Sequence, residues 1–325
     1  MFIHKIFLCL VEKLYRFLKK YFKIFQIKSV ILLELASYYH RYYGKFEKYF
    51  ELKKVLLNNL IRYSNHDIYD SSGAKFELYA YSNKKDEKDA MIKIIKYQIA
   101  KENDNRISNL KNIFTEKKVL ILGPSKISKS INFKDFDLVA VANTKLITTT
   151  STLAVDDNNL VMFINQGYFY RNKFKLLDEA KKVAAIFVKP SIIDPSFPKF
   201  VIPNGLMYND CSPMGVQNIL YSIYAGGAKS IYVTGITGFL GEEIFRQGIK
   251  TYSDNRQHIS NNIRNHEPIA NFCLIKNFVN LDLCSGDETF LKLFKNDIKK
   301  YCISLDEQYS CYIFNRIDAS NLHSN

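Results

Sequence analysis

The chain has 325 residues, 47% of them hydrophobic, with a formal net charge of +14. That length and apolar content exclude a disordered or fibrous chain and fit one large α/β domain with an appendage, or two domains. The positive balance points to an anionic partner such as a phosphorylated substrate, an anionic lipid surface or nucleic acid.

Residues 1–63 read as helical. Phe7, Leu10, Leu14, Phe17, Leu18, Tyr21 and Phe25 recur at three- and four-residue steps, with Lys13, Arg16, Lys19, Lys20 and Lys23 between them. Residues 1–60 hold twelve Lys or Arg against four Asp or Glu, so +8 of the +14 lies there. A basic amphipathic segment rich in Phe and Tyr suits an anionic membrane surface. It equally suits helices packed on the protein's own core with a solvated basic face. Ile6–Val11 is apolar, but Glu12 and Lys13 follow at once with no small-residue cleavage site, which argues against a signal peptide. No uncharged run approaches the ~18–20 residues needed to span a bilayer.

Residues 64–86 are polar and read as a loop region with one short strand near Phe76–Tyr81. Residues 87–114 read as helical again. This predicts a helical basic N-terminal region over 1–115 and a main domain over 116–325.

From Lys117 the pattern alternates. Strands are predicted at Val119–Leu122, Leu138–Ala142, Leu160–Ile164, Val183–Val188 and Ser230–Thr234. Helices are predicted at Met214–Tyr224, stopped by Gly226-Gly227, and at Pro268–Phe278, with Pro in its first turn. Further elements fall near Thr289–Lys300 and Tyr301–Leu305. Strands alternating with helices predict an α/β fold with a mostly parallel sheet and flanking helices.

Ligands of such sheets bind beyond the carboxyl ends of the strands, so the strand ends carry the candidate site. Val119–Leu122 ends at Gly123-Pro124-Ser125. Gly123 would let backbone approach a phosphate or sugar, and Ser125 offers a hydroxyl. The other reading is a structural corner. Leu138–Ala142 ends at Asn143, Leu160–Ile164 at Asn165, and Ser230–Thr234 at Gly235-Ile236-Thr237. Asn in such positions reads either a ligand or local backbone groups. Ser212 precedes the helix at Met214–Tyr224 and Gly215 stands in its first turn, where the N-terminus would favour an anion.

A long loop over Thr237–Asn265 reads either as a lid or as a disordered, solvated loop. It carries Arg246, Lys250, Arg256, Arg264 and Tyr252, partly offset by Glu242, Glu243 and Asp254. His266 stands at the junction of lid and helix, a position that suits a general base near neutral pH. Metal chemistry reads poorly. Asp135-Phe136-Asp137 has D-x-D spacing but precedes a strand, at the wrong end of the sheet, and H-E-x-x-H and Walker A patterns are absent. Asp282, Asp287 and Glu288 read as surface carboxylates. The six cysteines form no C-x-x-C pair, so zinc spacing is absent and nothing argues for a disulfide framework; a reducing compartment is the simplest reading.

The order of these features over Lys117–Phe278 resembles the bacterial sialyltransferases of the Campylobacter type, which use CMP-activated sialic acid. Those features are Gly-Pro-Ser, two strand-end Asn residues, a helix opened by Gly215, a strand ending Thr234-Gly235-Ile236, a Tyr-bearing lid and then His. The Gly215–Ile236 block is the most specific part. The resemblance implies a Rossmann-like nucleotide-binding domain with a lid, and metal-independent inverting transfer with no cofactor beyond the CMP-sugar donor. It implies that Gly123, Pro124 and Ser125 line the CMP site, that Asn143 and Asn165 contact the nucleotide sugar, and that Gly215 approaches the cytidine or the sugar carboxylate. Ser212 and Gly235 flank that pocket. Tyr252 would bond the departing phosphate and His266 would deprotonate the acceptor.

The chain departs from the pattern in three ways. Ile121-Leu122 stand where the family has Gly-Asn, one lid tyrosine is placed where a pair is usual, and residues 1–115 have no counterpart. CMP-Kdo would serve the same chemistry. The implied partners are a glycan acceptor, lipid-linked in surface polysaccharide or lipooligosaccharide synthesis, and the inner face of the cytoplasmic membrane. The alternative is a non-enzymatic basic membrane- or nucleic-acid-binding protein with a degenerate nucleotide fold. Against nucleic acid, the basic excess forms no stripe with base-stacking aromatics.

Overall fold

The structure is a computed structural model that describes residues 45–63, 85–101, 104–127, 131–142, 156–188, 197, 200–201, 216–238, 240 and 268–308, with 10 and 13. Three helices come first: α1 (Phe46–Tyr63), α2 (Lys85–Lys101) and α3 (Asp104–Phe114). Then follow β1 (Lys118–Leu122), β2 (Leu138–Ala142), β3 (Leu160–Ile164), α4 (Gln166–Glu179), β4 (Ala185–Val188), β5 (Phe200–Val201), α5 (Val216–Ala225), β6 (Ser230–Thr234), α6 (Pro268–Asn280), β7 (Ser285–Gly286) and α7 (Glu288–Lys295). A last helix, α8, covers 298–308. The strand expected near Phe76–Tyr81 lies outside the described residues.

All seven strands join one parallel sheet in the order β5-β4-β3-β2-β1-β6-β7. This is a Rossmann-like, doubly wound arrangement. The chain steps outward from β1 to β5, then returns to the other side of β1 with β6. The direction of winding therefore reverses between β1 and β6, where such sheets open a ligand crevice at their carboxyl edge.

The strands are short apolar runs because both of their faces are covered. One face, with Val119, Ile121, Ala140, Phe163, Phe187 and Val233, shares a core with α1–α3, α5, α6, α7 and α8. Phe114 of α3 stacks near Phe163 and Phe187, at 6.5 and 5.7 Å between ring centroids. The other face, with Leu120, Leu122, Val141, Met162 and Ile186, is covered by Phe169 and Leu176 of α4 and by Phe197.

The helices ahead of residue 115 therefore share one core with the sheet. Phe46, Tyr49 and Phe50 of α1, Met91 and Ile95 of α2 and Leu110 of α3 are buried in it. Of the two readings of the basic N-terminal segment, packing on the protein's own core holds for Phe46–Phe50. Among the described residues, no helix is long and apolar enough to cross a membrane.

The α1 end is held from the far end of the chain. The Phe46 and Glu47 N–H groups donate to the Asp306 carboxylate at 2.5 and 3.3 Å, and Lys299 of α8 pairs with Glu47 at 3.3 Å. Asp306 thus does the work of an N-cap for a helix 260 residues away in sequence. Burial pushes its carboxyl up, an effect opposed by the two N–H donors and by Lys45.

Asp306→Ala should lower stability by about 1 kcal/mol, the usual worth of a cap. Because the folded carboxyl titrates above its unfolded value, the wild-type advantage should be largest at acid pH. It should shrink as pH rises through the ordinary Asp range to the raised value, and stay level above it. Denaturant titrations at a series of pH values measure both effects.

Candidate functional site

The reversal point is built from the ends of β1 and β6, which pair along their whole length from Lys118↔Ser230 to Leu122↔Thr234. Beyond the last pair the two chains stay in contact. The Gly123 N–H donates to the Thr234 carbonyl at 2.8 Å, and the Ser125 N–H donates to the Gly235 carbonyl at 2.9 Å. A Cβ at position 123 would stand 2.1 Å from the Gly235 carbonyl oxygen and 2.2 Å from Ile236 Cδ1, so only glycine fits. Gly235 has φ +69°, a conformation costly for any other residue.

The reason for Gly123 is thus the approach of its own chain. The Gly123 N–H and that of Ser125 are both engaged, by the carbonyls of Thr234 at the end of β6 and of Gly235 just beyond it. What the corner offers is hydroxyl chemistry. Ser125 Oγ and Thr237 Oγ1 face each other at 3.5 Å. Ser125 itself is buried, whereas Pro124 and Thr237 are half-buried and Lys126 is exposed.

A second layer lies under this corner. Thr234, fully buried at the end of β6, donates its hydroxyl to Asp287 Oδ2 at 2.5 Å. The other oxygen, Asp287 Oδ1, accepts from the Phe290 N–H at 2.8 Å and caps α7. The Asp287 N–H in turn donates to the Val233 carbonyl at 3.1 Å. This corrects the expectation of a surface carboxylate at 287: a side chain with two such donors is stable in the interior. Asp282 and Glu288 are exposed as expected. Burial and the Asp287 charge both raise the titration of Tyr232 on the same strand.

The candidate residues divide into three groups. Gly123, Pro124, Ser125 and Gly235 come together at the carboxyl ends of β1 and β6. Asn165 stands at the same edge at the end of β3, two strands away, or about 10 Å at the usual strand spacing. Its side chain accepts the Tyr168 N–H at 2.7 Å and caps α4. Asn143, Ser212, Gly215, Tyr252 and His266 lie outside the described residues, as does the lid except at 237, 238 and 240. Pro268, the first residue of α6, is buried. Phe278 near the end of α6 packs edge-on against Tyr224 near the end of α5, with centroids 6.0 Å apart. The two helices therefore run alongside each other, and both begin toward the carboxyl edge.

Two further sets of candidate groups stand elsewhere. The Asp135-Phe136-Asp137 motif lies at the amino edge, as its place just ahead of a strand predicted. Asp137 Oδ2 accepts the Lys118 N–H at 2.7 Å, and Asp135 Oδ1 accepts from Asn132 at 3.1 Å. Cys273, Cys284 and Cys302 are buried, and burial pushes the Cys284 thiol up to about 12 and Cys302 upward as well. Such thiols are poor nucleophiles.

No family model matches the chain, and neither the curated proteins nor the solved structures compared with it give a significant match.

Asp287→Ala should cost about 2–4 kcal/mol, combining a lost cap with a buried hydroxyl left without its acceptor. Thr234→Val should cost less. In a double-mutant cycle read by chemical denaturation, the two should be clearly less than additive, since each removes the same bond.

Proposed function

We propose that the chain is an inverting glycosyltransferase that moves an ulosonic acid, sialic acid in the first instance, from its CMP ester to a glycan hydroxyl. One observation carries this reading. Gly-Pro-Ser and Thr-Gly-Ile, two segments of the resemblance described above, end adjacent strands at the reversal point of a doubly wound sheet. That is where such sheets bind nucleotides. The half-buried Thr237 hydroxyl, which faces the buried Ser125 hydroxyl at 3.5 Å, is a polar group at this corner that supports a ligand contact.

In this reading the acceptor oxygen attacks the anomeric carbon while His266 takes its proton. The bond from that carbon to the CMP oxygen breaks, and CMP departs with the bonding electrons. Tyr252 and the basic groups of the 237–265 segment neutralise the departing phosphate. A single phosphate can be balanced in this way, so the reading calls for no metal. The proton transfer contributes about 10²–10⁴-fold. The acceptor is lipid-linked, which fits a basic protein held at the inner face of the cytoplasmic membrane through its N-terminal segment. CMP-Kdo is the competing donor.

The engaged N–H groups of Gly123 and Ser125 favour a second reading, a nucleotide fold that has lost its ligand and serves as a basic binding protein.

A thermal-shift screen of the full chain separates the two. CMP should raise the melting temperature, whereas UMP, GMP and dTMP should not. No response to CMP, together with salt-sensitive DNA binding, would favour the second reading. His266→Ala should keep the CMP response while lowering transfer from CMP-sialic acid or CMP-Kdo by about 10²–10⁴-fold. Wild-type turnover in that variant would remove His266 from the reaction.

A further inference from the structure

Helix α4 covers the sheet face opposite to α1–α3, and its inner side is accounted for by Phe169 and Leu176, both fully buried. Its outer side is not what a solvated helix carries. Tyr170 is 55% exposed and Phe174 is 84% exposed. They lie on either side of a kink at Asn172, whose φ of −126° and ψ of 20° depart from the helix, and Tyr170 meets the buried Phe169 edge-on at 5.4 Å. Single exposed aromatics are common on protein surfaces, but two within five residues make an apolar patch of the outer side of α4.

Cations frame this patch. Arg171 follows Tyr170, Lys175 follows Phe174, and Lys181 and Lys182 continue from the helix end, all exposed. From 170 to 182 there are five basic residues (Arg171, Lys173, Lys175, Lys181, Lys182) and two acidic ones (Asp178, Glu179), a local balance of +3. Lys175 pairs with Glu179 at 3.9 Å and Lys181 with Asp178 at 3.6 Å. The Lys181–Asp178 pair is exposed on both sides and holds little energy, whereas the Glu179 side chain is largely covered; neither pair changes the balance.

We propose that this face of α4 docks on an anionic phospholipid surface, with Phe174 and Tyr170 entering the headgroup region and the flanking cations against the lipid phosphates. Aromatic rings ringed by Lys and Arg on one helix side are what such an interface takes up. Charge decides against a second copy of the chain, which would bring +3 onto +3 within a molecule of +14. Shape decides against nucleic acid, because single-strand binders seat bases in a groove and this is a convex helix side. Asn165, which caps α4, lies at the carboxyl edge of the sheet. Docking along the outer side of α4 lays the sheet face that α4 covers toward the membrane, opposite to α1–α3.

The chain contains no Trp, so Phe174→Trp in the full-length protein installs a single reporter at a solvent-exposed position. Its emission should shift to the blue with phosphatidylglycerol vesicles and be quenched by brominated acyl chains. Phosphatidylcholine vesicles should have no such effect, and high salt should reverse it. Adding Lys181→Gln and Lys182→Gln should weaken vesicle binding by about fivefold for each lysine. Three results would overturn the proposal: emission at 174 unchanged by anionic vesicles, even where the protein floats with them through another segment; a blue shift without lipid that grows with protein concentration, which marks a second copy; or a larger response to single-stranded DNA than to vesicles.

Discussion

Everything at the carboxyl edge depends on how closely β1 and β6 approach each other once their pairing ends. The ladder runs through five residue pairs and then continues as two hydrogen bonds between turns, from Gly123 to Thr234 and from Ser125 to Gly235. No side chain fits between them, since a Cβ at 123 would overlap the Gly235 carbonyl. From Thr234 the same network passes inward to Asp287 and through it to the first turn of α7. Two loops, a strand end and a helix start are thus held by one continuous set of bonds, and all of it is buried. Buried networks of this kind are rigid when every member is satisfied.

That rigidity has a chemical consequence. Dinucleotide-type sheets hold phosphate with the N–H groups of a glycine turn, and here those of Gly123 and Ser125 are turned inward to β6. The corner is a platform. The half-buried Thr237 hydroxyl and the starts of α4, α5 and α6 share this edge with it. The lid and His266, as read from sequence, belong to the connection between β6 and α6, which starts from this platform.

The strands were legible because each central one is a short Val/Ile/Leu/Phe run covered on both faces, and three of the five have the predicted ends. The Gly226-Gly227 stop and the Pro268 start were legible for equally local reasons. Strands β5 and β7 have two residues each and leave no periodic trace. Helix α4 was hidden by its own chemistry. Its exposed side carries Tyr170 and Phe174 where a helix pattern expects polar residues, a kink at Asn172 interrupts its period, and Asn165-Gln166 read as the end of a strand. Of the two readings of Asn165, the local one is seen: it caps the helix through Tyr168. Asp287 was misread because burial of a carboxylate depends on Thr234, 53 positions away. The Asp306 contact with α1 spans 260 positions and leaves no local signal at all.

The most direct test of the central claim is hydrogen–deuterium exchange of the full chain with and without saturating CMP. The account predicts slower exchange on CMP binding in the segments around 122–127 and 234–238, at the ends of β1 and β6. Unchanged exchange there, or protection confined to the amino edge near 132–138, would contradict it.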